Sequence, residues 1–84
     1  MNTDHPFVRL LVDLLRDETD SCVVAFEPLG EVATLNRGDA FTVEISGPGD
    51  GLVEISYDAD GISIGAWSGA STVAWDRAGN RLKI

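Results

Sequence analysis

The hydrophobic positions change their spacing along the chain. Near its start they recur at intervals of three and four residues, which is the period of an amphipathic helix; these positions are Phe7, Leu10, Leu11, Leu14 and Leu15. Thr3 or Asp4 can cap such a helix, and Pro6 falls in its first turn, where a missing amide proton costs little. The pattern predicts a helix over about residues 4–17.

After Asp20 the period becomes two residues, and glycine-containing turns separate short apolar segments. The predicted strands are 22–27, 31–35, 40–46, 52–57, 62–67, 71–75 and 82–84. The connectors have hairpin length, whereas a parallel crossover needs about a dozen residues or more, so the strands are expected to form an antiparallel meander.

These two patterns together predict an α+β fold, in which one N-terminal helix packs on an antiparallel meander of six or seven short strands. A small up-and-down β-barrel capped by the helix is the alternative. Both place residues 1–84 in a single domain, with the helix over about 4–17 and the meander over about 22–84, because no linker or low-complexity tract divides the chain.

Val8 and Val12 flank the apolar stripe of the predicted helix. With these two residues the stripe covers roughly 200° at about 100° per residue, which is wider than packing on one sheet requires. Either a loop covers this shoulder of the helix, or Val8, Val12 and Leu15 form the contact of a homodimer.

Turn lengths set an expected register for the meander, because a hairpin loop fixes which residues lie opposite each other. One face of the sheet then collects the large apolar side chains and forms the core under the helix. The expected pairs include Val43 with Ile55, Tyr57 with Ile64, and Trp75 with Leu82.

The opposite face of the predicted sheet is small and polar, apart from one tryptophan. In the expected register Glu44 lies directly across from Glu54, a like-charge pair that is mildly destabilising. Trp67 stands opposite Glu54, and an exposed tryptophan is a candidate binding hot spot. Glu44, Glu54 and Trp67 therefore form the candidate interaction surface, although Trp67 could instead cover the backbone of Gly65.

The charge of the chain limits its partners. Fourteen acidic residues against six basic ones give a formal net charge of −8 at pH 7. Such a field repels nucleic acid and anionic membranes and attracts basic proteins. We therefore expect a protein partner, most specifically a basic one, with no nucleic acid and no membrane.

The residues that carry chemistry are few. Cys22 is the single cysteine and His5 the single histidine, so neither a disulfide nor a structural zinc site can form within the chain. No serine or cysteine has a predicted base nearby. The sequence predicts no catalytic residue, no cofactor-binding residue, no metal ligand and no enzymatic activity. Because the lone cysteine is typical of a reducing compartment and no leader pattern precedes the fold, we expect a cytoplasmic protein.

Several spaced motifs cover nearly the whole chain. They are Glu27-Pro28-Leu29-Gly30, Leu35, Gly38-Asp39-x-Phe41-x-Val43-Glu44-Ile45, Gly61-Ile62-x-Ile64-x-x-Trp67 and Ala74-Trp75-Asp76-x-x-Gly79-x-x-Leu82. In these motifs the chain resembles small acidic proteins of actinobacteria. The resemblance implies a compact cytoplasmic domain and transfers no catalytic residue.

We expect the chain to be a non-enzymatic protein–protein interaction module that docks a basic protein, in the manner of immunity or regulator proteins. One alternative is a small-ligand or carbohydrate-binding β-domain that uses Trp67 for stacking, with Glu44, Glu54 and Ser56 as polar groups. The other is a structural homodimer that pairs through Val8, Val12 and Leu15.

Overall fold

A computed structural model describes residues 5–14 and 20–84, and within these ranges the chain forms strands and turns without a helix. The strands are β1 (Phe7–Asp13), β2 (Ser21–Glu27), β3 (Glu31–Asn36), β4 (Ala40–Ser46), β5 (Glu54–Asp58), β6 (Gly61–Gly65) and β7 (Ser71–Trp75). The predicted α+β fold is therefore wrong, because a strand occupies the centre of the expected helix.

The seven strands form two sheets. One has the order β1-β4-β7 and is antiparallel throughout. The other has the order β3-β2-β6-β5, in which β2 and β6 run parallel and the outer pairs are antiparallel. The meander is also wrong, since β4 pairs with β1 and β7 and not with β5. Six predicted strands nevertheless overlap β2 to β7.

β1 is a strand because one of its faces fits the inner face of β4. Val8, Leu10 and Val12 alternate along β1 and lie opposite Ile45, Val43 and Phe41 of β4. These pairs bury apolar area that an isolated helix would leave exposed to water. The helix propensity of a segment is a weak effect, and tertiary packing of this kind overrides it. The wide apolar arc of the predicted helix came from a strand with apolar residues on both faces.

The core lies between the inner faces of the two sheets. It consists of side chains that are at most 6% exposed, drawn from both sheets and from the segment after β6. The cluster contains Val24, Phe26, Leu35, Phe41, Val43, Ile45, Ile64, Trp67 and Ala74. Val8, Leu10 and Val12 pack against it from β1.

The parallel pairing of β2 with β6 depends on a glycine. Gly61 pairs with Val23 at the start of β6 and has a φ of 144°, where residues with a side chain are strained. A Cβ at this position would overlap the carbonyl oxygen of Val23. Glycine therefore allows the two backbones to approach closely at this point.

Two expected hairpin registers are also shifted. Tyr57 pairs with Ile62, and not with Ile64, because Ala59 and Asp60 form the turn and Gly61 already belongs to β6. Trp75 forms an isolated bridge with Arg81, so the predicted strand 82–84 is absent from the described part of the chain. The slip of two residues at Tyr57 keeps the side chains of that hairpin on their expected faces, whereas the slip of one residue at Trp75 places Arg81, and not Leu82, opposite it.

The strand assignment predicts different costs for two neighbouring leucines. Leu10 packs against the core, whereas Leu11 points outward and is 71% exposed. We expect Leu10→Ala to lower the free energy of unfolding by about 2 kcal/mol and Leu11→Ala by less than about 0.5 kcal/mol, measured by urea unfolding. Equal losses would favour a helix, in which both leucines share the apolar face.

Candidate functional site

Trp67 belongs to the core and not to an exposed surface. Its side chain is 6% exposed, and its indole Nε1 donates a hydrogen bond of 3.0 Å to the carbonyl oxygen of Pro48. Gly49, at a φ of 135°, lies so close that a Cβ there would overlap the ring. Trp67 is therefore a core residue and not the exposed hot spot of the candidate surface, and Trp75, expected in the core, lies half-buried on the outer face of β7.

Glu44 and Glu54 lie in different sheets. Glu44 pairs with Arg9 on β1, and its carboxylate is 3.5 Å from the Arg9 guanidinium. Glu54 pairs with Gly65 on β6. The predicted surface of Glu44, Glu54 and Trp67 therefore does not exist as one surface, because the expected β4–β5 hairpin does not form.

The candidate oligomer contact is also altered. Val8 and Val12 point inward from β1 and pack against the core, so they do not form the shoulder of a helix. Leu15 lies outside the described residues. A homodimer through this set of residues thus loses its geometric basis.

The most unusual surface lies on β5. Ile55 and Tyr57 pair with Ile64 and Ile62, and these four residues share the inner face of their sheet. Inner-face residues are normally buried, yet Ile55 is 54% exposed and Tyr57 is 79% exposed. The cause is the unequal number of strands. The three-stranded sheet does not extend over β5, the outermost strand of the four-stranded sheet.

An open groove separates β5 from β1, the edge strand of the smaller sheet. We call it the β1–β5 groove; it has a volume of about 220 Å³ and is lined by Leu10, Leu11, Val12, Asp13, Ile55, Tyr57, Ile62 and Ile64. Seven of these eight residues are apolar or aromatic. Such a lining suits an apolar segment of a partner better than a charged metabolite.

The sequence that contains β5 is rich in acidic residues and lacks basic ones. Between Arg37 and Arg77 the chain contains no lysine or arginine. The same stretch contains seven acidic residues, which are Asp39, Glu44, Asp50, Glu54, Asp58, Asp60 and Asp76. The β5–β6 hairpin lies within this stretch, so it contributes acidic residues and no basic one to the chain.

The basic residues near β1 have acidic neighbours. Arg9 lies beside Glu44, and the Arg77 guanidinium is 3.8 Å from the carboxylate of Asp13, which lines the groove. These exposed ion pairs are weak, but they offset the positive charge of both arginines. A basic partner would meet little repulsion at this edge.

Among residues 5–14 and 20–84, two titratable groups have shifted pKa values, and each shift has a structural cause. The backbone amides of Arg77 and Ala40 donate hydrogen bonds of 2.9 and 2.8 Å to Asp39, and together with the charge of Arg77 they lower the pKa of that carboxyl group. Burial raises the pKa of the Cys22 thiol, which favours the unreactive protonated form. Neither group lines the groove.

Within residues 5–14 and 20–84, no group of three or more His, Cys, Asp or Glu side chains is placed to hold a metal ion. Over the same ranges the structure contains no helix that is long and apolar enough to span a membrane. The groove lining contains one carboxylate and one phenol but no paired acid and base, so it carries no recognisable catalytic arrangement.

A second depression lies on the outer face of the larger sheet. It has a volume of about 200 Å³ and small side chains at its centre, namely Ala25, Ser56 and Ser63. Ser56 is there, but Trp67 is in the core and Glu44 is on the other sheet. The residues proposed for carbohydrate stacking are thus not brought together.

Leu11, Ile55 and Tyr57 are the site residues that the sequence patterns did not reveal. The alternation of β5 correctly places Ile55 and Tyr57 on an inner face, but it carries no information on how far the facing sheet extends. The one signal in the sequence was the run without cations between Arg37 and Arg77. This run covers β4 to β7 and so includes the β5–β6 hairpin without singling it out.

Comparison of the chain with protein-family models, with curated proteins and with solved structures gave no match. The resemblance to small acidic actinobacterial proteins stays a prediction. The function is therefore inferred from the geometry of the chain itself.

The burial of Trp67 predicts a structural role for this residue. We expect Trp67→Ala to lower the free energy of unfolding by about 3–5 kcal/mol, because it leaves a cavity and removes the hydrogen bond to Pro48. Chemical unfolding followed by circular dichroism measures this loss. A variant with unchanged stability would contradict the core placement.

The hydrogen bonds to Asp39 predict a pH-dependent effect. Because the folded pKa of Asp39 is lowered, its contribution to stability is present above the unfolded pKa and is lost as the pH falls through the folded pKa. Asp39→Asn should therefore lower the melting temperature at pH 7, and the difference from the unsubstituted protein should shrink in acid. Glu31→Gln controls for the loss of one exposed charge. A difference in melting temperature that does not change with pH would contradict the hydrogen bonds to Asp39 as its cause.

Proposed function

We propose that the protein is a non-enzymatic interaction module that docks a basic protein through the β1–β5 groove. The observation that carries this proposal is the exposure of Ile55 and Tyr57, which belong to the inner face of a sheet but have no sheet over them. Leu11, on the opposite side of the groove, is also mostly exposed. Apolar side chains grouped in this way commonly mark a binding surface.

Tyr57 is the best anchor of this surface. A tyrosine offers a large rigid ring with a polar end and loses few rotatable bonds on binding. Its exposure of 79% leaves most of the ring open to a partner. Burial of Ile55 and Leu11 beside it would add apolar area removed from water.

Charge supports a basic partner. The chain has a net charge of −8, and the stretch that contains β5 has no cation, so the molecule as a whole carries a negative field. This field would accelerate the approach of a basic protein and would oppose a nucleic acid or an anionic membrane. Neutralisation of a basic toxin, as by an immunity protein, is the narrowest form of this function.

The proposed compartment is inferred from the cysteine content of the chain. A single half-buried cysteine, Cys22, forms no disulfide within the chain, which is usual for small proteins of a reducing compartment. We therefore place the interaction in the cytoplasm.

Peptide display tests this function while the natural partner is unidentified. Random peptides are selected on the immobilised protein, after depletion on the Tyr57→Ser variant. We expect the enriched peptides to be basic and apolar, and to bind more weakly at high salt than at low salt.

Val32→Ser is the matched control, since Val32 is 61% exposed on β3, at the other edge of the larger sheet. Selected peptides should bind this variant as they bind the unsubstituted protein. Enrichment of acidic or neutral peptides, or peptides that bind Tyr57→Ser equally well, would contradict the proposed function.

A further inference from the structure

The two sheets differ by one strand, and the missing position lies next to β1. Among the described residues, β1 pairs with β4 on one side only, so it is an edge strand. Its other edge borders the β1–β5 groove. An edge strand presents backbone amide and carbonyl groups that another extended chain can pair with.

We infer that the partner docks by strand addition, with an extended basic segment pairing along β1 and covering Ile55 and Tyr57. This inference rests on the proposed function and specifies how the groove is used. Neighbouring strands lie about 4.8 Å apart, and facing sheets about 10 Å apart. A strand added beside β1 would therefore lie over β5 and complete a sandwich of four strands on four.

The groove favours addition at β1 over addition at β5. A strand paired with the free edge of β5 would extend the larger sheet further beyond the smaller one. It would leave the inner faces of Ile55 and Tyr57 exposed. Only a strand beside β1 both satisfies backbone groups and covers these two side chains.

The chemistry of the incoming segment follows from this placement. Side chains of a strand alternate between the two faces of its sheet, so every second residue would point onto Ile55 and Tyr57 and should be apolar. The remaining residues would lie on the outer face beside Arg9, Leu11 and Asp13, where the ion pairs of Arg9 and Asp13 leave little local charge, and basic side chains there fit the net negative charge of the chain. β1 has seven residues, and a segment of that length would pair along its whole edge.

Charge also selects against a second copy of this chain as the occupant. Two copies would each carry a formal charge of −8. Repulsion between two such charges opposes the pairing of two copies, whereas a basic segment is attracted by the negative charge of the chain. A dimer that pairs through β1 is therefore an outcome that would overturn the inference.

A capped heptapeptide of alternating lysine and valine tests the inference on the intact protein. We expect it to bind at low salt, with Tyr57→Ser weakening the affinity about tenfold or more and Val32→Ser leaving it unchanged. Amide hydrogen exchange should slow in β1 on binding, because its edge amides acquire partners.

Two further peptides, N-methylated at every lysine or at every valine, test the backbone pairing. In an added strand the amides of alternate residues face the neighbouring strand, so one of the two modified peptides should lose binding and the other should keep it. Equal binding of both, or slowed exchange in β5 and not in β1, would overturn strand addition and leave the proposed function intact.

The remaining outcomes separate the two proposals. Failure of the unmodified peptide to bind, while peptide display still enriches basic apolar peptides that depend on Tyr57, overturns strand addition alone. Failure of both experiments overturns strand addition and the proposed function. Light scattering that finds a dimer, with β1 protected only at high protein concentration, overturns the choice of a basic segment as occupant.

Discussion

The parallel pairing of β2 with β6 is the interaction on which the rest of the structure depends. It joins two hairpins, β2–β3 and β5–β6, into one four-stranded sheet. Only β1, β4 and β7 remain for the facing sheet. Gly61 permits this pairing, because its backbone approaches the Val23 carbonyl more closely than a residue with a Cβ allows. The unequal sheets and the exposed face of β5 follow from this one contact.

A strand whose inner face is left uncovered lowers the stability that a chain of this size can reach. A small protein buries a modest fraction of its surface. Each apolar side chain that stays exposed therefore withholds a sizeable part of the free energy of unfolding. Ile55 and Tyr57 nevertheless stay exposed beside an open strand edge. Edge strands of this kind normally carry protective charges. Under the proposed function, the net negative charge of the chain would repel further copies and leave the groove open to a basic partner.

The local alternation of apolar residues predicted strands that overlap β2 to β7, but the predicted strand 62–67 ends at Gly65, which leaves Trp67 outside β6. The start of the chain was misread because Leu10 and Leu11 are adjacent, which fits a helical stripe as well as a strand with two apolar faces. The order of strands could not be read, since hairpin-length connectors also allow a strand to leave for the other sheet. The exposure of Tyr57 and the burial of Trp67 depend on that order, so the candidate site could not be predicted.

Interstrand nuclear Overhauser effects in the free protein test the central claim most directly. We expect backbone contacts between β2 and β6 in parallel register, including Val24 with Ile62, and contacts from β1 to β4 without any to β5. Backbone contacts between β1 and β5 would close the two sheets into a barrel and eliminate the groove. That result would contradict the unequal sandwich and every functional conclusion drawn from it.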